Sequence, residues 1–170
     1  MKKQSNDNKN TRKLTLISMV LPFAALIMAA NQTEVAQFLA TNECENCDLQ
    51  GADFGMKRDF ENAKLSGANF SGSQLPDNAM FNNADLSGAN FSSTRTMNAG
   101  FYNAKMTGTN FRYAHFTQVN FASADLTNAD FTGATIVNFG SELDLIKDVE
   151  ATLCNTTMPD GSINNSNCPT

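Results

Sequence analysis

The chain contains no tryptophan, a single histidine (His115) and four prolines, and charged side chains make up only 17% of it. With one histidine, no Ser-His-Asp or Cys-His set of recognisable order can be assembled. A Gly-rich phosphate loop is missing, as is any carboxylate cluster with metal-ligand spacing. An enzyme is therefore not expected, and neither is a cofactor or a metal site. The low charge and the 13 phenylalanines also point away from an ordinary enzyme core. No uninterrupted run of about 20 apolar residues occurs, so a comfortable membrane span is not read either.

Basic residues are scarce and unevenly placed. Five of the 12, Lys2, Lys3, Lys9, Arg12 and Lys13, precede an apolar run from Leu14 to Met28 that ends in Ala29 and Ala30. A basic start, an apolar middle and small residues at the end form a secretory signal peptide over residues 1–30, with cleavage near Ala30. Pro22 interrupts the run, which is short for a span; an uncleaved anchor is the alternative. Losing this segment removes five of 12 basic and one of 17 acidic residues, leaving 7 against 16 and nine negative charges. Such a balance repels nucleic acid and anionic lipid and suits a soluble monomer. The middle of the chain lacks cysteine: Cys44 and Cys47 precede it, Cys154 and Cys168 follow. Export to an oxidising compartment (periplasm, an equivalent lumen, or the exterior) makes disulfides the default. Of three possible pairings, proximity in sequence favours Cys44 with Cys47 and Cys154 with Cys168.

What the middle has is a period of five. Large centres recur at Leu49, Phe54, Phe60, Leu65, Phe70, Leu75, Phe81, Leu86, Phe91, Thr96, Phe101, Met106, Phe111, Phe116, Phe121, Leu126, Phe131 and Ile136, usually with Ala two places earlier. The other positions carry Asp, Asn, Ser, Thr and Gly, as in Ala84-Asp85-Leu86-Ser87-Gly88. Neither a helix nor a flat strand has this period; a chain that turns a corner every five residues does. The pattern resembles the pentapeptide-repeat family, whose members wind four quintets per coil. The resemblance implies an all-β fold, a right-handed quadrilateral β-helix of about 4.5 coils over residues 48–139; short caps are expected on either side, a helical one at 31–47 and a helix with a disulfide at 140–170. Residues one coil apart then stack: Phe60, Phe81, Phe101 and Phe121 in one column, Phe70, Phe91, Phe111 and Phe131 in the opposite one. The period slips by one residue before Phe60 and again before Phe81, so both extra residues fall on the same corner.

The caps are expected to cover strand edges that would otherwise pair end to end. Thr33–Thr41 has Val35, Phe38 and Leu39 at helical spacing. Ser141-Glu142-Leu143-Asp144 resembles a capping box opening a short helix, and Met158-Pro159-Asp160-Gly161 reads as a turn. The segments from Cys44 and from Cys154 look like the lead-in and lead-out of exported pentapeptide-repeat proteins, thylakoid-lumen members included. That subgroup has no settled activity.

Outward ladders separate scaffold from candidate site. Lys64, Asp85, Lys105 and Asp125 alternate in charge, and Asn69, Asn90 and Asn110 are flanked by Asp48 and Asp130; both are read as scaffold. On the fourth face Gln74, Arg95 and His115 stack outward, Thr96 replaces an apolar centre, and Met97, Arg112 and Tyr113 lie close in sequence. This patch suits a protein or a small anionic ligand. The leading expectation is an exported, non-enzymatic binding or structural module. One alternative is a DNA-mimicking gyrase inhibitor, a role the resemblance implies for this fold. It is favoured by the charge and opposed by export, the short stack and the capped C-terminus. The other is a thiol-disulfide oxidoreductase at Cys44-x-x-Cys47.

Overall fold

The computed structural model describes the backbone of residues 23–137 and 150–169, with side chains from residue 32. The signal-peptide reading and the helix expected from Ser141 fall mainly outside these residues. Each repeat makes one square corner. In Phe60–Ala63 the Ala63 N–H donates to the Phe60 carbonyl at 3.2 Å, and Asn62, third in the turn, has φ 56°. That is the φ of a type II turn, which favours Gly or Asn at this place. The preceding Asp or Asn accepts from the N–H two residues on, as Asp85 does from Ser87 at 3.1 Å and Asn90 from Ser92 at 3.0 Å. The repeat chemistry is thus turn chemistry, written once every five residues.

Only one residue per corner is left to pair as a strand, and it ties the coils together. The Asp85 N–H donates to the Ala63 carbonyl at 2.9 Å, while the Asp85 carbonyl accepts from the Leu65 N–H at 2.8 Å. Parallel bridges run up each face, for example Asn69 to Asn90 and then Asn110 to Asp130. The fourth face alone widens into three-residue strands, β1 (Arg95–Met97), β2 (His115–Thr117) and β3 (Thr135–Val137), paired in parallel with Arg95 opposite His115 and His115 opposite Thr135.

The centres fill the interior. In one column, ring centroids lie 4.9 Å apart for Phe60–Phe81 and 5.3 Å for both Phe81–Phe101 and Phe101–Phe121. The other gives 4.7, 5.5 and 4.7 Å from Phe70 through Phe91 and Phe111 to Phe131. Between columns the rings meet edge to face, as Phe81 and Phe91 do at 84°. Stacking within a column and T-shaped contact across it both suit the ring quadrupole. Leu65, Leu86, Met106 and Leu126 are also fully buried.

Both ends depart from expectation. Helix α1 (Phe23–Thr41) begins upstream of Thr33 and runs through Ala30. Its Ala-rich sequence favours a helix, and Asn42 closes it at φ 58° with its N–H on the Phe38 carbonyl at 2.9 Å. Phe38, fully buried, lies stacked 5.1 Å from Phe60 and plugs the first coil. At the other end the winding does not stop at residue 139. Thr152 bridges Asp125, Thr157 bridges Asp130, and Ala151, Leu153 and Met158 are buried beneath them. Cys44 likewise sits on the Leu65 face, so three rungs join the 18 read from the sequence and the stack exceeds five coils. The final strands β4 (Thr156–Thr157) and β5 (Ile163–Asn164) form a hairpin, turned where the Gly161 N–H reaches the Met158 carbonyl at 2.9 Å. No helix among the described residues is long and apolar enough to cross a membrane.

Candidate functional site

The fourth face carries a groove of about 510 Å3. Its outward ladder rises from Asp53 through Gln74 and Arg95 to His115, each residue bridged in parallel to the next. Beside the ladder, Leu75, Pro76 and Asp77 line the lower part, and Thr96, Met97 and Thr117 the upper. Two local features build it. β1 and β2 hold Arg95, Met97, His115 and Thr117 on extended backbone, with alternate side chains outward. Below them the corner after Leu75 has one extra residue, which sets Pro76 and Asp77 opposite Met97; the Asn78 N–H donates to the Met97 carbonyl at 2.8 Å. Thr96 points inward and its Oγ1 donates to the Pro76 carbonyl at 3.4 Å, which accounts for a hydroxyl where the repeat has an apolar centre.

Of the six patch residues expected from the sequence, the groove brings together Gln74, Arg95, Met97 and His115. Arg112 and Tyr113 do not line it. Arg112 donates to Asp130 at 2.9 Å, on the neighbouring asparagine face, and its guanidinium lies 5.6 Å from the Tyr113 ring centre. Tyr113 takes the left-handed turn position at φ 57°, and its ring occupies the space over Gly133 that a Cβ there would enter. Both side chains are committed to the adjacent corner because position in the quintet, rather than nearness in sequence, sets the face. The sequence reading missed Asp53, Pro76, Asp77 and Thr117. Asp53 was discoverable: it stands one slipped coil below Gln74.

The groove's charges are unspent. Among the described residues the ion pairs are Lys64–Glu43 at 2.7 Å and Arg112–Asp130 at 2.9 Å, so Arg95 stands exposed without a carboxylate partner. Asp53 uses one oxygen to accept from the Gly55 N–H at 2.8 Å. The scaffold ladders are paired in part, with Lys105 likewise without an ion pair among the described residues. Asn90 donates to Asn69 at 3.1 Å and Asn69 to Asp48 at 3.0 Å, an amide chain that pairs its own side chains. In the alternating ladder, Lys64 pairs with Glu43 instead of Asp85, and Asp125 accepts from Thr107 at 2.9 Å. Burial is the largest influence on Asp130 and works to raise its pKa. The Thr132 hydroxyl and N–H and the Arg112 guanidinium together outweigh it and hold the carboxyl below the usual range.

The cysteines form two disulfides, Cys44–Cys47 and Cys154–Cys168. Cys44 and Cys47 are 1% and 8% exposed and belong to the core, where an attacking thiolate has little access. Among the described residues no three His, Cys, Asp or Glu side chains gather as metal ligands.

The sequence model of the pentapeptide repeat region matches residues 77–167, and a nine-copy pentapeptide repeat model matches residues 49–95. No curated protein sequence matches the chain. Similar solved structures include a pentapeptide repeat protein involved in heterocyst differentiation regulation from the cyanobacterium Nostoc, 21% identical over 72% of this chain, TM-score 0.34. The chain spans 62% of that protein's length. A second Nostoc pentapeptide repeat protein is 19% identical, covering 71% of this chain and 93% of its own, TM-score 0.41. One from the Arabidopsis thaliana thylakoid lumen is 28% identical over 59% of this chain and 68% of its own, TM-score 0.28. With a family model covering more than half of its length, and a quintet corner repeated from Leu49 to Ala134, the chain belongs to the pentapeptide-repeat family.

Proposed function

We propose that this protein is an exported, non-enzymatic binding module that engages a partner, a protein or a small anionic ligand, through its fourth face. The observation that carries this reading is the ladder Gln74–Arg95–His115 in the groove, where an unpaired guanidinium and the chain's one imidazole stand on an otherwise acidic molecule. The asparagine ladder bonds its own side chains to one another, whereas here the guanidinium, the imidazole and a carboxylate oxygen share one groove and are left for a partner. Two disulfides and the basic, then apolar, N-terminus support export to an oxidising compartment, with residues 1–30 removed as a signal peptide.

Backbone-amide NMR of the disulfide-bonded protein against small carboxylates and short peptides tests the reading. Shifts are expected to cluster on Gln74, Arg95, Met97 and His115. The double substitution Arg95→Ala, His115→Ala should abolish them with the melting temperature unchanged, since both side chains are exposed. Shifts spread evenly over all four faces, or surviving the double substitution, would remove this face as the binding surface.

A further inference from the structure

We infer that the groove is built for a dipolar ligand, a short peptide with both termini free, laid along the solenoid axis; the inference rests on the fourth face being the binding surface. Formal charge changes sign along the ladder. Asp53 stands at the N-terminal end, Gln74 next, then Arg95 and His115. Asp77 adds a second carboxylate on the coil of Gln74. Successive coils lie about 4.8 Å apart, which places Arg95 about 10 Å and His115 about 14 Å along the axis from Asp53. An extended peptide advances about 3.3 to 3.6 Å per residue, so a tripeptide carries its ammonium and carboxylate across the interval from Asp53 to Arg95.

The intermediate residues fit the same occupant. Gln74, between the charged ends, offers an amide donor and an amide acceptor, the complement of a peptide group. Pro76 and Met97 give an apolar wall for a central side chain, Met97 being 45% exposed. A simple dianion fits less well, because two carboxylates share the groove with Arg95 and would repel it. A simple cation fits less well for the converse reason. Arg95 has no ion-pair partner among the described residues and Asp53 keeps one oxygen free, so neither end must give up an internal bond to bind. Arg95 can take a carboxylate through two parallel N–H donors, a geometry a lysine would lack.

Isothermal titration of the full, disulfide-bonded protein with Ala-Leu-Ala, its N-acetyl form, its C-terminal amide and glutarate tests this. The free tripeptide should bind, and blocking either end should weaken it about tenfold or more, the loss of one charge-assisted contact. Arg95→Lys should weaken the free tripeptide, and Arg95→Ala should erase the preference for a free carboxylate. Asp53→Asn, which retains an acceptor for the Gly55 N–H, should erase the preference for a free ammonium. Absence of tripeptide binding, or equal binding of the acetylated form, overturns the dipolar inference. Glutarate binding as tightly as the tripeptide also overturns it but leaves the fourth face as an anion-binding surface. Binding indifferent to Arg95→Ala and His115→Ala overturns both readings.

Discussion

Phe101 lies in the middle of its column, fully buried, with Phe81 and Phe121 each 5.3 Å away. Neighbours fixed by the ladder above and below cannot collapse into the space it would leave. Phe101→Ala is therefore expected to cost about 3 to 5 kcal/mol in denaturant unfolding; an unchanged midpoint would contradict the stacked core. Asp130 is the opposite kind of residue, a half-exposed carboxylate whose folded pKa is depressed by Thr132 and Arg112 despite burial. A depressed folded pKa adds stability above the unfolded value, near 4, that is lost as pH falls through the folded value. Asp130→Asn should accordingly flatten the loss of melting temperature on acidification below about pH 4, while a slope equal to the parent's would show that Asp130 contributes none of it. Phe101 was legible in the sequence from its quintet position alone. The Arg112–Asp130 pair was not, because it depends on which rotamer reaches across a coil.

At the scale of elements, the corner is the unit and its chemistry is local. One inward Ala, one Asp or Asn, one large centre and one Gly or Asn at positive φ suffice to turn the chain, which is why 18 corners could be counted without coordinates. The ends could not be counted so. Leu153 and Met158 extend the solenoid although a 27-residue step separates Thr152 from Asp125 and Thr157 from Asp130, against 20 or 21 in the coils below. A search by period stops where the spacing changes, even though the ladder continues. The C-terminal element is tied by Cys154–Cys168, 14 residues apart. Closing a loop of that length stabilises by about 3 kcal/mol through the unfolded state, and the much shorter Cys44–Cys47 loop contributes less. Cys154→Ala with Cys168→Ala should thus lower the melting temperature and speed proteolysis of the last hairpin. If the melting temperature and proteolysis rate both stayed at the parent's values, the bond would have no stabilising role.

As a whole molecule the protein is a short solenoid on an acidic chain. Phe38 of α1 covers the first coil, and β5 pairs along β4, which is itself one of the last rungs, with Cys154–Cys168 tying that segment. A plugged first coil and a β5 strand laid along β4 oppose edge pairing there, so light scattering should report a monomer. In a supercoiling assay the protein should leave DNA gyrase uninhibited, since its acidic residues are dispersed over faces that also carry Lys64, Lys105, Arg95 and Arg112; inhibition at stoichiometric protein would revive the DNA-mimic alternative. The sequence by itself determined the quintet period, the two Phe columns, the corner chemistry and the placing of Gln74, Arg95 and His115 on one face, because each follows from spacing along a chain that turns at regular intervals. Only the tertiary structure decided that α1 plugs the barrel with Phe38, that the coil resumes at Ala151, that Arg112 and Tyr113 belong to the neighbouring corner, and that Asp77 joins the groove. Those outcomes depend on irregular steps, where an added residue or a long connection shifts the register and only the packing of one coil on the next fixes where a side chain ends.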